Sequence, residues 1–69
     1  MGLNVTVNGT EERIEHATVI ELLRARGIDP TSRGVAVALN GAVVRRADWP
    51  TTELKAGDAV EIVRPFSGG

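Results

Sequence analysis

Residues 3–8 alternate strictly between apolar and polar: Leu3, Val5 and Val7 fall on one face, Asn4, Thr6 and Asn8 on the other. That period of two predicts a strand buried on one side. Asn8-Gly9 follows immediately, a dipeptide that tolerates the left-handed angles of a two-residue hairpin turn. Beyond it, Glu12-Arg13-Ile14-Glu15-His16 holds one large apolar residue among charged neighbours. This predicts a second strand at or near a sheet edge, where charge discourages pairing with other chains. Thr18-Val19-Ile20-Glu21 then matches a capping box, with a hydroxyl for one orphan N–H and a carboxylate three residues on for another. Val19, Leu22 and Leu23 recur at helical spacing, and Arg24 and Arg26 stand where the helix dipole favours cations. Gly27 supplies a left-handed stop. A helix of about nine residues falls short of the ~12–15 an isolated helix needs, so its apolar stripe must lie on a sheet.

The second half repeats the theme. Asp29-Pro30-Thr31-Ser32-Arg33-Gly34 is a loop by composition. Val35-Ala36-Val37-Ala38-Leu39 puts its large residues on one face and small Ala36 and Ala38 on the other. Asn40-Gly41 is a second hairpin turn. A two-residue turn pairs Leu39 with Ala42, which sends Val44 inward and Val43 outward beside Ala38. Residues 45–52 leave the sheet, with Trp49 as a lid over one end of the core, and Lys55-Ala56-Gly57-Asp58 makes a further turn. The last strand directs Val60 and Ile62 inward, Glu61 and Val63 outward. The order is therefore strand, strand, helix, strand, short strand, strand. It predicts an α+β fold in which a right-handed crossover carries one helix over one face of a mixed sheet of four to five strands. The expected core is Leu3, Val5, Val7, Ile14, Val19, Leu22, Leu23, Val37, Leu39, Val44, Leu54, Val60 and Ile62.

Composition narrows the chemistry. The chain of 69 residues contains no cysteine, one His and one Met, so it offers no disulfide, no thiolate metal site and no catalytic thiol. His16 lacks triad partners or metal-ligating companions. A formal net charge of −1 provides no basic footprint for nucleic acid, and Arg45-Arg46 is read as a solvated strand end. No run approaches the ~18 apolar residues of a membrane span. The expectation is a cytoplasmic protein that binds no metal or cofactor and is a monomer on its own.

The end of the chain is the remaining chemical feature. Residues 1–63 make the folded domain, leaving Arg64-Pro65-Phe66-Ser67-Gly68-Gly69 as a flexible tail. Six extended residues reach at most ~20 Å. Gly68 and Gly69 lack Cβ atoms, so such a tail can enter a narrow cleft. Either it presents the Gly69 carboxylate to another protein, or it is an ordinary frayed end. Ala36, Ala38, Val43 and Val63 form an apolar patch on the face away from the helix: a partner surface, or scattered surface apolarity. Arg64 and Phe66 can anchor the tail in a partner's groove, or Phe66 can fold back onto the sheet.

Two Asn-Gly turns, a capped helix and a final apolar strand running into Gly-Gly describe a ubiquitin-like β-grasp. The stretches Val37 to Trp49 and Leu54 to Val63, the start Thr18-Val19-Ile20-Glu21-Leu22-Leu23, and Gly68-Gly69 resemble the ThiS family, the bacterial sulfur carriers of thiamine biosynthesis. The departures are Arg46, where many members have Pro, and Phe66-Ser67 before the diglycine. The resemblance implies a carrier, not an enzyme. A ThiF-type, E1-like adenylyltransferase would use ATP to adenylate the Gly69 carboxylate, with Gly68 supplying tail flexibility. A persulfide on a partner would replace AMP to leave a C-terminal thiocarboxylate, and a ThiG-type thiazole synthase would take the sulfur. The absence of cysteine fits, since the sulfur rides on the terminus itself. Two alternatives share the fold: the small subunit of molybdopterin synthase, and an interaction module whose tail does no chemistry.

Overall fold

The computed structural model describes residues 2–65. Five strands and one α-helix follow the expected order: β1 (Leu3–Val7), β2 (Thr10–Ile14), α1 (Val19–Ala25), β3 (Ala36–Leu39), β4 (Ala42–Val44) and β5 (Ala59–Val63), with a 3-10 turn at Arg46–Asp48 between the last two strands. Both Asn-Gly pairs form hairpin turns in the left-handed region, Asn8 at φ 51° and Gly9 at 83°, Asn40 at 52° and Gly41 at 85°. These angles match the twist of the flanking strands. They fix the registers Val7↔Thr10 and Leu39↔Ala42.

The sheet order is β2-β1-β5-β3-β4. β1 pairs antiparallel with β2 and parallel with β5, and β3 pairs antiparallel with both β5 and β4. It follows that β2 and β3 run in the same direction, as the crossover through α1 requires, but β1 and β5 lie between them. The last strand in the chain is thus the central strand of the sheet. β2 is an edge strand, as its charges foretold, and Arg26 Nη1, which donates to both carboxylate oxygens of Glu12 at 3.0 Å, ties it to the end of α1.

Helix α1 starts in the full capping box. Thr18 Oγ1 accepts from the Glu21 N–H at 3.3 Å, and a Glu21 carboxylate oxygen accepts from the Thr18 N–H at 3.0 Å. The two preceding orphan donors are satisfied from further along the chain: Val19 N–H donates to Thr52 O (3.0 Å) and Ile20 N–H to Trp49 O (3.2 Å). At the other end Gly27, at φ 75°, closes a Schellman motif in which Ile28 N–H donates to Leu23 O and Gly27 N–H to Arg24 O.

Val19, Leu22 and Leu23 of the helix pack with Val5, Val7, Ile14, Ile28, Val35, Val37, Trp49, Leu54, Val60 and Ile62 into one core. Ile28, Val35 and Trp49 were not among the expected core residues. Leu3, Leu39 and Val44 were, and they are only partly buried against it. Trp49 is no lid: it is 2% exposed and its indole N–H donates to Val44 O at 3.0 Å. Ile28 is buried because the residue after the left-handed glycine of a Schellman motif folds back on the last helical turn.

Candidate functional site

Whatever follows Val63 is aimed by β5, and β5 is held on both flanks by the two turn asparagines. The parallel ladder with β1 runs through Thr6↔Ala59 and Val7↔Val60. The Asn8 side chain then extends it past the turn: Ile62 N–H donates to Asn8 Oδ1 at 2.8 Å, and Asn8 Nδ2 donates to Ile62 O at 3.2 Å. A carboxamide has the donor and acceptor of a peptide group, so Asn8 acts as one further backbone unit of β1. Across the sheet Asn40 holds the start of β5, its Oδ1 accepting from Ala59 N–H at 2.9 Å and its Nδ2 donating to the Asp58 carboxylate at 3.1 Å.

On the other flank β3 pairs with β5 from Leu39↔Val60 to Ala36↔Val63. Two steps further in the same register, Gly34 faces Pro65. A Cβ built on Gly34 would fall 2.6 Å from Pro65 Cγ and 3.1 Å from Cδ, and Gly34 sits at φ 83°. Glycine is therefore required there twice, by backbone angle and by the ring lying over it. Proline ends the ladder because it has no N–H to donate.

The loop that carries Gly34 is itself fastened. Asp29 Oδ1 accepts from the Thr31 hydroxyl (2.7 Å) and N–H (2.8 Å), and Ser32 N–H donates to Asp29 O at 3.0 Å. The Thr31 hydroxyl, then its N–H, and the charge of Arg46 hold the Asp29 carboxyl below its ordinary value. Arg46 donates to Pro30 O and, at 2.6 Å, to Ser32 O, while its guanidinium lies 4.7 Å from the Trp49 ring centroid. It is exposed, as expected, but it is a brace between the loop and the core and not a free strand end.

The four residues expected on the outer face lie together. Ala38 pairs with Val43 and Ala36 with Val63. Val43 is 80% exposed and Val63 63%, the large apolar side chains most open to solvent among the described residues. Ala36 is exposed and Ala38 half-buried. Ala59 and Pro65, both exposed, extend the strip by the same alternation and were missed. The clue was available, since Val63 outward implies Ala59 and Pro65 outward. Glu61 faces Ala38 from β5 and gives the strip one negative charge. Arg64 is exposed at the root of the tail. Phe66, Gly68 and Gly69 lie outside the described residues, as does the question of whether Phe66 folds back. His16 is half-buried beyond Ile14, the end of edge strand β2, and no group of three or more metal-ligating side chains occurs among the described residues.

A mixed five-strand sheet with one helix on one face and the last strand at its centre defines a protein of the ubiquitin-like β-grasp class. Three comparisons agree on which. A family model described as the ThiS family matches residues 4–69. The sulfur carrier protein ThiS of Thermus thermophilus is 35% identical over 65 residues, covering 94% of this chain and 98% of that protein. The crystal structure of the thiamine biosynthesis protein (ThiS) from Geobacter metallireducens superposes with a TM-score of 0.77 at 38% identity, covering 97% of this chain and all of the other. A solution structure of a thiamine biosynthesis protein from the same organism gives the same TM-score and identity and is covered to 88%. The chain belongs to the ThiS family, the sulfur carriers of thiamine biosynthesis.

Proposed function

We propose that the carboxyl group of Gly69 is the sulfur-bearing group and that the outer sheet face docks the enzymes that load and unload it. A carboxylate is ionised at neutral pH and is a poor electrophile, so loading begins with activation by a partner. An E1-like, ThiF-type adenylyltransferase joins the carboxylate to the α-phosphate of ATP and releases pyrophosphate. The terminal sulfur of a partner persulfide then attacks the acyl carbon and AMP leaves. A thiol cleaves the resulting acyl disulfide, forming a new disulfide and freeing the thiocarboxylate. A ThiG-type thiazole synthase receives the sulfur. The chain supplies no catalytic group to these steps: it is a co-substrate, acting in the cytoplasm where ATP is available.

The observation that carries this reading is the central strand β5, pinned at Ile62 by Asn8 and running out beside an exposed apolar strip toward the diglycine. Ala36, Ala38, Val43 and Val63 form the docking face, with Arg64 and Phe66 as anchors beside the tail. The relatives named above belong to thiamine biosynthesis, and nothing favours the molybdopterin or interaction-module alternatives.

Intact-mass measurement after incubation with ATP, the adenylyltransferase and a persulfide donor is the direct test. The chain gains the mass difference of sulfur replacing oxygen; an unchanged mass rejects the carrier role. Val43→Glu tests the face. At 80% exposure this change leaves the melting temperature within ~2 °C, while a charge placed in an interface core costs more than ~1 kcal/mol, a rise in KM of about fivefold or more. An unaltered KM would remove Val43 from the interface.

A further inference from the structure

Contact between the flanks continues two residues past the end of the last strand. Gly34 and Pro65 occupy the outer-face position that follows Ala36↔Val63 in the β3–β5 register, and Gly34 has no side chain where the Pro65 ring lies. The loop beneath is locked by the turn at Asp29, by Arg46 on the carbonyls of Pro30 and Ser32, and by the Arg46–Trp49 stack. Asn8 holds Ile62 from the opposite flank. Together these hold β5 and the loop beside it on both flanks as far as Pro65.

We propose that Gly34 and Pro65 form a seat that aims the tail, and that both are positioning residues for activation of the terminal carboxylate. The proposal rests on the carrier reading above. Its physical content is reach and direction. From a seated Pro65 the four remaining residues extend at most ~14 Å, against ~20 Å for six residues released at Val63. The density of chain ends at a fixed target falls as about the −3/2 power of linker length, so releasing the seat dilutes the carboxylate about twofold before any loss of direction is counted.

The test uses the full chain with the adenylyltransferase and reads adenylate formation as kcat and KM separately. Pro65→Gly removes the ring and leaves the folded body alone; Gly34→Ala fills the seat from the other side. Both are expected to lower kcat at least about twofold and to change KM far less, because Ala36, Ala38, Val43 and Val63 still dock and the aim is what is lost. The double variant should lose no more than the worse single one, since one contact is broken in each case. Should Gly34→Ala fail to fold at its positive φ, Pro65→Gly decides alone. A wild-type kcat in Pro65→Gly, independent multiplicative losses, or a change confined to KM would each overturn the seat. A second measurement is independent of activity: the backbone order parameter of Arg64 should be near ~0.85, as in a rigid strand, and fall toward ~0.6 in Pro65→Gly. A value already low in the wild-type chain overturns the proposal. If the wild-type chain is never adenylated, the carrier reading fails instead, and the order parameter still decides whether the seat exists.

Discussion

At the scale of single residues, the two turn asparagines each do two jobs. The first is conformational: Asn8 and Asn40 sit near φ 50°, where most side chains cost ~1–2 kcal/mol. The second is to replace backbone, Asn8 exchanging two hydrogen bonds with Ile62. Substitution separates the jobs. Asn8→Gly keeps the turn angle and loses only the two bonds, an expected ~1–2 kcal/mol. For a domain of this size that is a fall in Tm of roughly 4–16 °C. Asn8→Ala loses the bonds and adds the left-handed strain, so it should melt lower still. Calorimetry or thermal circular dichroism reads both, and the reverse order would mean that the turn carries no strain. The Asn-Gly pairs were legible as turns because the dipeptide alone favours those angles. Their grip on β5 was not, because it depends on which strand lies beside the turn, and sequence periodicity carries no information on strand order. Arg46 was misjudged for the same reason: its partners Pro30 and Ser32 lie 14 to 16 positions earlier in the chain.

At the scale of elements, α1 has seven residues, well under the length at which a helix persists alone, so its ends matter as much as its buried stripe. Glu21 links the start of the helix to the chain before it. Hydrogen bonds from the Ala17 N–H, then the Thr18 N–H, lower its carboxyl below the ordinary 4.5. A carboxyl that is more acidic folded than unfolded stabilises fully above the unfolded value. That contribution fades as pH drops below about 4.5 and through the lowered folded value. Glu21→Gln keeps an acceptor but cannot titrate. Its Tm should therefore fall less steeply than the wild type between neutral and strongly acid pH, as measured by thermal melts across that range. Parallel curves would show that the cap does not contribute to acid unfolding. The capping box and Gly27 were readable because both are local, three residues or fewer in reach. Ile28 was readable in principle, as the hydrophobic residue that a Schellman motif tucks under the helix. Trp49 was not: its burial follows from the carbonyls of Trp49 and Thr52 being drawn onto the first turn of α1, a tertiary contact.

At the scale of the molecule, the decisive fact is that the last strand made is the central one. Until β5 arrives, the β1–β2 and β3–β4 hairpins have no ladder between them. The alternation of Val60 and Ile62 showed that β5 is buried and sent Val63 outward, and turn chemistry placed Val43 beside Ala38, so the four outer-face residues were legible as a set. The pairing of Ala36 with Val63 and of Gly34 with Pro65 required the strand order and was not. The same topology makes body and tail separable at a definite residue. A chain of residues 1–63 keeps Ile62, the Asn8 clamp and the β3 register from Leu39↔Val60 to Ala36↔Val63, and loses only the exposed Gly34–Pro65 contact; it should unfold cooperatively in urea with a midpoint close to that of the full chain, while losing all adenylation. A chain of residues 1–61 loses a large side chain that is 8% exposed and the backbone groups that Asn8 grips. Removing a buried aliphatic side chain costs ~2–5 kcal/mol and each hydrogen bond ~1 kcal/mol. A domain of this length has only ~3–10 kcal/mol to lose, so the shorter chain should be largely unfolded at room temperature, with collapsed amide dispersion in its NMR spectrum. Equal urea midpoints for the two truncations would mean that β5 does not hold the sheet together. The tail would then have no rigid base from which to be presented.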